Sequence, residues 1–357
     1  MSSVDIVVPC YNYAHYLDEC IATLTSQRDV DVRVLIVDDC SPDNTAEIGQ
    51  RIAAADIRVT YERNEKNLGL IGTANRGIID WAEADYTLLI SADDALAPGA
   101  LARAAAMMDA DTSIGMTYGI ARIFGQHDKP EGVADTRDYK THTLTGAAFL
   151  KYNCEIGNPA PSPCAITRTS LQKKVGGYSP ALKHTSDMEM WMRFALNASV
   201  GVIGATQGYY RWHGQNMTAL HTSSAVSDLR HRLKTCAAVH DERGGKDFPG
   251  FTPWYDEMRA KFARDALWLA GEAYARGHMD THAECVAFAR ECDPSIAYEG
   301  PTWRHRVKRM IGPTLLKALN PSSQAYAHGG HSAAGEWFKE NRDFGWWPGE
   351  DTERKAS

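Results

Sequence analysis

Residues 88–99 have the sequence Leu-Leu-Ile-Ser-Ala-Asp-Asp-Ala-Leu-Ala-Pro-Gly. The apolar run that begins at Tyr86 predicts a buried strand, which ends in two adjacent carboxylates, Asp93 and Asp94, before a proline and a glycine open a helical pattern. Carboxylates at the C-terminal end of a strand lie where open α/β sheets bind ligands. Mg²⁺ and Mn²⁺ take oxygen ligands, often one or two carboxylates together with substrate phosphates. The stretch therefore predicts a metal–diphosphate site at one edge of a sheet.

Strand-like and helix-like patterns alternate over residues 1–120. The strand-like runs are short and β-branched, and the segments between them carry apolar residues at helical spacing. This alternation predicts an α/β fold in which helices flank a mostly parallel sheet whose strand C-termini share one edge. The predicted strands are Asp5–Pro9, Val32–Asp38, Ile57–Glu62, Tyr86–Ser91 and Gly115–Ile120, and the predicted helices are Tyr16–Gln27, Asn44–Ala54, Ile71–Ala84 and Pro98–Asp109.

Polar residues follow the predicted strands at the points where the strands end, as a nucleotide site requires. The G-x-G-x-x-G fingerprint and the P-loop are both missing from the sequence. Helix N-termini and a metal ion would therefore have to hold any phosphates.

Length, charge and cysteine content limit the classes of protein that the sequence fits. The 357 residues suggest about two domains, and the formal net charge of −7 argues against nucleic-acid binding. The N-terminus lacks the features of a signal peptide, and no apolar run is long enough to span a bilayer. None of the eight cysteines forms a Cys-x-x-Cys pair, which favours reduced thiols in a cytoplasmic protein over a zinc site.

The pattern changes along the chain and suggests three regions. We expect a catalytic domain over residues 1–222, a helical region over 223–325 and an irregular tail over 326–357. Residues 121–165 are polar and proline-containing, which predicts loops and short strands that cover the site. Later helical patterns occupy Ser186–Leu196, Ser227–His240, Trp254–Arg276 and His278–Glu291.

Seven elements occur in order over residues 4–218. They are Val7–Asn12, Ile36–Thr45, Asn67–Gly69 with Asn75–Gly77, Ser91–Asp94 with Pro98, Gly176–Tyr178, Ser186–Arg193 and Tyr210–Asn216. Together they resemble the family 2 glycosyltransferases. The resemblance implies a GT-A fold, a Rossmann-like α/β sheet, followed here by a C-terminal helical region.

The resemblance also assigns a donor-binding set. By resemblance, Asp39 contacts the base, and a carboxylate can accept a hydrogen bond from a ring N–H of uracil or guanine. The alternative for the loop around Asp39 is helix capping by Ser41, Asp43 and Asn44, and we expect both roles. The residues implied to contact the donor are Pro9, Tyr11, Asn12, Asp39, Asn67, Ala92 and Arg211.

The metal motif of the family is usually Asp-x-Asp followed by another acid, and here Ser91 replaces the first acid. Counting back from Pro98, Asp93 takes the place of the metal-binding Asp. The resemblance implies Mn²⁺ or Mg²⁺ on Asp93, with His213 as a metal ligand or phosphate donor and Arg211 as a phosphate clamp. Two solvated acids ahead of a helix, and a purely structural His213, are the simpler alternatives.

Asp187 is the residue that the resemblance places in the chemistry. The family pattern is Glu-Asp at the start of an apolar-Trp-apolar-Arg helix, and here Ser186 replaces the Glu. Asp187 is implied to be the general base that takes the proton of the acceptor hydroxyl. The alternative is a capping Asp on an amphipathic helix whose Met188, Met190, Trp191, Phe194 and Leu196 form core.

The implied activity is that of a metal-dependent hexosyl- or glycosyltransferase. It moves a sugar, with inversion, from a nucleotide-diphosphate sugar, first of all a UDP-sugar, to a hydroxyl of a glycan or lipid-linked glycan, in bacterial surface polysaccharide or glycoconjugate assembly. A non-catalytic nucleotide-sugar or glycan-binding relative, a nucleotidyltransferase, and a scaffold built on the C-terminal helices are the alternatives.

Two features of the C-terminal region suggest further contacts. Residues 303–311 combine four basic side chains with apolar ones, which suits either peripheral contact with the inner face of a membrane or a solvated helix face. The pattern over residues 254–291 predicts a helical hairpin. Two roles stay open for it, a homodimer interface and presentation of the acceptor.

Overall fold

The computed structural model describes residues 1–130, 139–213, 216, 226–296, 307, 310–313, 315 and 343–344. These residues form two compact units, one of residues 1–213 with a short strand at Asp343–Phe344, and one of the described residues between 214 and 340. The predicted domain boundary at residue 222 falls outside the described residues, as do most of the predicted tail and most of the basic stretch 303–311.

The first unit is built on one mixed sheet. Its strands are β1 (Ser3–Cys10), β2 (Asp31–Asp38), β3 (Val59–Arg63), β4 (Tyr86–Leu89), β5 (Ala95–Leu96), β6 (Ile114–Gly125), β7 (Thr141–Leu144), β8 (Ile166–Arg168), β9 (Ser199–Trp212) and β10 (Asp343–Phe344). The order across the sheet is β3-β2-β1-β4-β8-β6-β9-β5, with β10 beside β6 and β7 beside β9.

Strand direction divides this sheet. Strands β3, β2, β1 and β4 are parallel to one another, and β6 is parallel to β9. Strand β8 runs antiparallel to both β4 and β6, and β5, β7 and β10 also pair antiparallel. The predicted α/β sheet is confirmed. The strands that pair antiparallel, β5, β7, β8 and β10, are short. The alternation of strand-like and helix-like patterns over residues 1–120 predicted none of them.

Helices cover the faces of the sheet in the first unit. They are α1 (Ala14–Thr25), α2 (Thr45–Ala55), α3 (Gly69–Asn75), α4 (Ala100–Ala110), α5 (Gly146–Glu155), α6 (Thr169–Val175) and α7 (Ser186–Ala195). Strands β1 and β2 are buried almost throughout, and α1 turns Leu17, Ile21 and Leu24 into the same core. This burial on both faces explains why residues 6–9 of β1 and 34–37 of β2 form continuous apolar runs rather than alternating ones.

A π-helical segment, Arg76–Trp81, continues α3 and lies close to β1. A Cβ atom at Gly77 would lie 2.3 Å from a methyl carbon of Val7, so the helix can approach the strand only because residue 77 has no side chain. The approach fixes the segment that follows β3 against the sheet.

The second unit contains three helices, α8 (Ser227–Glu242), α9 (Phe251–Arg276) and α10 (Met279–Cys292). Gly277, at φ +79°, ends α9 and allows the tight reversal into α10. Buried Phe262 and Phe288 belong to this unit's core. In the described part of the chain no helix is both long and apolar enough to cross a membrane. None of the eight cysteines, which all lie in the described part of the chain, is in a disulfide.

Candidate active site

The loops that follow β1, β2 and β4 meet at one edge of the sheet. The backbone N–H of Asp39 donates to the carbonyl of Cys10 at 3.0 Å, and that of Asn12 donates to Ser41 Oγ at 2.8 Å. Asn12 and Cys40 adopt left-handed backbone conformations, with φ of 61° and 57°, which turn the chain sharply after each strand. The structure thus brings together the strand-end residues that the sequence predicted to share an edge.

The two aspartates at the end of β2 have different partners. Asp38 is fully buried and accepts hydrogen bonds from the Ser41 N–H, Tyr61 Oη and Arg63 Nη1, so its carboxylate is used within the fold. Asp39 accepts the side-chain amide of Asn64 at 2.8 Å and the Leu68 N–H at 2.7 Å, both through Oδ1. No hydrogen bond within the described chain uses Asp39 Oδ2, which leaves that oxygen for a ligand.

Asp43 organises the starts of two helices. Its Oδ2 accepts the Ala14 N–H at the start of α1, and its Oδ1 accepts the N–H and hydroxyl of Thr45 at the start of α2. Burial raises the pKa of Asp43, but hydrogen bonds from Ser41, Thr45 and Ala14 outweigh it, and the net pKa is lowered. Of the residues predicted to cap α2, Asp43 does so and Asn44 makes no capping bond.

The remaining predicted donor contacts differ in exposure. The Tyr11 side chain is 43% exposed at the end of β1, and Pro9 is buried within that strand opposite Val37. Asn67 is exposed, and its side chain accepts the Gly69 N–H at 2.9 Å, which starts α3. Ala92 is fully buried beside Asp93. Tyr11 directly follows Cys10, whose carbonyl accepts the Asp39 N–H, and an exposed aromatic ring at this point of the chain is suited to stacking on a base.

Asp93 and Asp94 form a buried acidic pair after β4. Asp94 Oδ1 accepts the Arg211 N–H at 3.0 Å, and Asp93 Oδ2 lies 2.9 Å from His213 Nε2. Asp93 Oδ1 is buried and has no hydrogen-bond partner in the described part of the chain. Burial and the neighbouring Asp93 carboxylate raise the pKa of Asp94 well above its ordinary value. Such a pair is costly to hold without a compensating positive charge.

These residues fit a hard divalent cation. The unpaired Oδ1 of Asp93 is an oxygen ligand in a buried, negatively charged setting, which Mn²⁺ and Mg²⁺ prefer. Among the described residues no group of three or more His, Cys, Asp or Glu side chains is arranged to hold a metal by itself. A cation here would therefore need ligands from a diphosphate or water, which is how Mg²⁺ sites at phosphates are commonly completed.

His213 is held against Asp93 by aromatic packing. Its ring makes an edge contact with Tyr13 at 5.5 Å between centroids and stacks on Tyr16 at 6.1 Å. Burial and the Asp93 carboxylate raise the pKa of the Tyr13 hydroxyl, which places that hydroxyl within the field of the acidic pair. The structure brings His213 to the predicted metal position, and its role as a ligand stays a prediction.

Arg211 is the predicted phosphate clamp, but its side chain is only 3% exposed. The guanidinium forms an ion pair with Glu19 and donates to the carbonyl oxygen of Asp93 at 2.9 Å. It also donates to the backbone oxygens of Gln126 and Asp128 and lies over the rings of Tyr16, at 4.6 Å, and Phe124, at 4.1 Å. The clamp role stays a prediction, and these contacts count against it.

Asp187 lies in the first turn of α7 and is partly buried. Its Oδ1 accepts the Met188 N–H at 2.7 Å, and its Oδ2 accepts Ser162 Oγ at 3.0 Å and Asn158 Nδ2 at 3.2 Å. Burial raises the pKa of Asp187, and the hydrogen bonds lower it by less, so the net pKa is raised. A carboxylate with a raised pKa is a better proton acceptor, which suits a general base.

A short 3₁₀ turn, Ser162–Cys164, connects Asp187 with the acidic pair. Ser162 contacts Asp187 at one end of the turn. At the other end, Cys164 is buried close enough to Asp94 for that carboxylate, after burial itself, to raise the pKa of the thiol. The turn therefore carries a hydrogen-bond partner of the predicted base two residues before a thiol that senses the acidic pair.

The helix behind Asp187 is packed as expected. Met188, Met190, Trp191 and Phe194 are buried, whereas Leu196 is half-buried. A buried ion pair between Glu189 and Arg193 ties α7 to the Gly176–Tyr178 element, because Arg193 also donates to the Gly177 carbonyl at 2.7 Å.

Three site residues escaped the sequence analysis: Asn158 and Ser162 beside Asp187, and Glu19 beside Arg211. No sequence motif marks Glu19, because its partner Arg211 lies 192 positions later in the chain. The three prolines between 159 and 163 were the available signal for a rigid loop at the site.

The family model described as Glycosyl transferase family 2 matches residues 5–173. Poly(ribitol-phosphate) beta-N-acetylglucosaminyltransferase TarS of Staphylococcus aureus is 27% identical over 232 residues, 62% of this chain and 38% of TarS. The succinoglycan biosynthesis protein ExoA of Rhizobium meliloti is 31% identical over 201 residues, 52% of this chain and 56% of ExoA. The aligned part thus spans less than two thirds of each of these relatives.

Solved structures show the same fold. S. aureus TarS 1–349 in complex with UDP-GlcNAc has a TM-score of 0.53 at 17% identity, over 82% of this chain and 91% of that one. The mannosyltransferase PcManGT of Pyrobaculum calidifontis, in complex with GDP-Man and Mn²⁺, has a TM-score of 0.54 at 15% identity, over 95% and 88%. These are GT-A glycosyltransferases. Over residues 5–173, which match the family model, the chain belongs to the family 2 glycosyltransferases.

Proposed function

We propose that this protein transfers a sugar, with inversion, from a nucleotide-diphosphate sugar to a hydroxyl acceptor, and that the donor is a UDP-sugar. The observation that carries the proposal is the buried Asp93 carboxylate, whose Oδ1 has no hydrogen-bond partner among the described residues, at the strand-end edge that also holds Asp39. In this proposal Asp39 binds the nucleotide, Asp93 holds the cation that binds the diphosphate, and Asp187 takes the proton of the acceptor hydroxyl.

Asp39 and Tyr11 bind the nucleotide in this proposal. Asp39 Oδ2 accepts the N3–H of uracil while Asn64 and Leu68 hold Oδ1 in place. Guanine offers an N1–H of the same chemistry, so the carboxylate by itself does not select uracil. The neighbouring structures contain UDP-GlcNAc and GDP-Man, which supports a nucleotide sugar as the donor class.

Asp93, with His213 beside it, would hold Mn²⁺ or Mg²⁺, and the bound cation would offset the charge that develops on the departing diphosphate. Asp187 accepts the proton of the acceptor hydroxyl as its oxygen forms a bond to the anomeric carbon. The bond from that carbon to the diphosphate oxygen breaks on the opposite face, and the nucleoside diphosphate leaves with the electron pair.

The acceptor class follows from the relatives and not from the geometry. ExoA is named for succinoglycan biosynthesis and TarS for transfer to poly(ribitol-phosphate), which supports a surface-polysaccharide or glycoconjugate acceptor, free or lipid-linked.

Donor turnover tests the proposal. Release of nucleoside diphosphate from a panel of UDP- and GDP-sugars is measured with and without Mn²⁺, for the wild type, Asp187→Asn and the control Asp18→Asn. Asp18 is an exposed residue paired with Arg51, so its variant should retain activity. We expect Mn²⁺-stimulated release that falls at least about 100-fold in Asp187→Asn. Equal rates in Asp187→Asn and wild type would overturn the base assignment.

The same panel separates the alternatives. Binding of a nucleotide sugar without any turnover would indicate a non-catalytic relative. Release of pyrophosphate from a nucleoside triphosphate would indicate a nucleotidyltransferase.

We also propose that the basic stretch 303–311 contacts an anionic membrane surface. Val307, Met310 and Ile311 are helical, exposed and spaced to share one face, and Met310 is 86% exposed. The sequence places Arg304, Arg306, Lys308 and Arg309 among them. We expect the protein to float with phosphatidylglycerol vesicles but not with phosphatidylcholine vesicles. Flotation that survives neutralisation of the four basic residues contradicts the membrane proposal.

Dimerisation through the C-terminal helices stays a prediction, which light scattering can test.

A further inference from the structure

Two side chains from one loop converge on the same oxygen of Asp187. Ser162 Oγ donates to Asp187 Oδ2 at 3.0 Å, and Asn158 Nδ2 donates to that oxygen at 3.2 Å. We propose that Ser162 and Asn158 are positioning residues that hold the Asp187 carboxylate in the orientation in which it accepts the acceptor proton. The inference rests on the proposed function, in which Asp187 is the base.

The loop that carries the two donors is anchored at several points. Asn158 Oδ1 accepts the Ala160 N–H at 3.1 Å, which fixes the orientation of its amide. The Cys164 N–H donates to the Pro161 carbonyl at 3.0 Å, and Cys164 Sγ donates to the Ile120 carbonyl in β6 at 3.7 Å. Because prolines have a fixed φ, the three prolines at 159–163 leave the loop few alternative conformations. The donors are therefore presented by a rigid support.

The hydrogen bonds determine where Asp187 can take a proton. Oδ2 receives two donors from the loop, and Oδ1 receives the Met188 N–H, so the rotation of the carboxylate is fixed from both sides. Donors to a carboxylate favour its charged form, whereas burial favours the neutral form. Removal of Ser162 Oγ should therefore give the Asp187 carboxylate more rotational freedom and raise its pKa.

The pH dependence of Asp187 has to be separated from that of the ionisable groups near it in space or in sequence. Tyr178 lies close enough for Asp187 to raise the pKa of its hydroxyl. Arg193, further along α7, is paired with Glu189 in the interior. Lys183 and His184 precede α7 in the sequence. Histidine is the group among these that ordinarily titrates near neutral pH, so a His184→Gln variant separates its titration from that of Asp187.

Ser162 and Asn158 are both exposed, so their truncation should leave the folded core intact. This makes Ser162→Ala and Asn158→Ala direct probes of positioning. Ser162→Thr retains the hydroxyl and serves as the rescue variant. Ser170→Ala, an exposed serine at the start of α6, is the matched control.

The experiment measures kcat, KM for the donor and their pH dependence, with the UDP- or GDP-sugar that the wild type turns over fastest. In Ser162→Ala we expect kcat to fall roughly tenfold, KM to change less than about twofold, and the acid limb to move up by about half a pH unit. Asn158→Ala should change kcat in the same direction, and Ser162→Thr and Ser170→Ala should behave as wild type.

The outcomes distinguish the inference from the function on which it rests. If Asp187→Asn is inactive while Ser162→Ala and Asn158→Ala retain the wild-type kcat and acid limb, the positioning role is wrong and the base assignment stands. A change in KM alone likewise overturns positioning, because it indicates a ligand contact. Wild-type turnover in Asp187→Asn, or no turnover of any donor by the wild type, removes the base and the inference together.

Discussion

Replacement of Arg211 by alanine distinguishes a structural role for this residue from the phosphate-clamp role that its sequence motif predicts. The guanidinium is an almost fully buried partner of Glu19, whose side chain is 30% exposed, and it satisfies three backbone carbonyl oxygens. Removing one member of a buried ion pair costs about 3–5 kcal/mol, because the other member and its hydrogen-bond partners lose their compensation. The partial exposure of Glu19 places the expected loss at about 3 kcal/mol.

Thermal unfolding gives the measurement. For a domain of this size, about 1 kcal/mol corresponds to roughly 2–4 °C, so Arg211→Ala should lower the melting temperature by about 6–12 °C. Arg51→Ala is the matched control, since Arg51 and Asp18 form an exposed ion pair, and it should shift the melting temperature by less than about 2 °C. Arg211→Lys should fall between the two, because lysine keeps the charge but cannot reproduce the planar set of donors.

One result would refute this reasoning. If Arg211→Ala melts within about 2 °C of the wild type and instead raises the KM for the donor, Arg211 acts on the phosphates and the contacts in the structure are dispensable.

Three other substitutions test the fold around the site. Gly77→Ala places a methyl group 2.3 Å from a carbon of Val7 and should cost about 1–3 kcal/mol in urea unfolding, and an unchanged midpoint would contradict the close approach. Asn75→Ala loses a 2.9 Å and a 2.7 Å hydrogen bond to the Tyr178 backbone, so hydrogen exchange of the Tyr178 amide should accelerate. The lowered pKa of Asp43 adds stability above about pH 4 that is lost as the pH falls below that value, so Asp43→Asn should flatten the acid side of the stability curve.

Local patterns in the sequence were sufficient for the parallel half of the sheet. Strands β1 to β4 are short segments with apolar or β-branched residues, separated by segments with helical spacing, and each was predicted close to its observed position. Strands β5, β7 and β8 have two to four residues each and are held by pairing with distant partners. They are therefore too short for a hydrophobic period to be recognised in the local sequence. The antiparallel part of the sheet therefore depends on tertiary contacts that a single sequence does not display.

The candidate site divides in the same way. Asp39 and Asp93 follow strands with strong local signals, and Asp187 begins a helix with a clear amphipathic pattern. Two partners that set their environments come from distant segments, Asn64 for Asp39 and Ser162 for Asp187, whereas His213 beside Asp93 was already implied by the resemblance. Those pairings follow from topology, and a motif in one segment does not specify the side chain that a distant loop places beside it.

The central claim is that Asp93 holds a divalent cation that binds together with the diphosphate of a nucleotide sugar. Calorimetric titration of UDP with and without Mn²⁺ tests it most directly, on the wild type, Asp93→Asn and Asp94→Asn. Because a cation at a buried carboxylate contributes on the order of 1–4 kcal/mol, Mn²⁺ should tighten UDP binding about tenfold or more in the wild type, less in Asp94→Asn, and hardly at all in Asp93→Asn. An equal Mn²⁺ effect in Asp93→Asn and wild type, or no effect in the wild type, would contradict the claim.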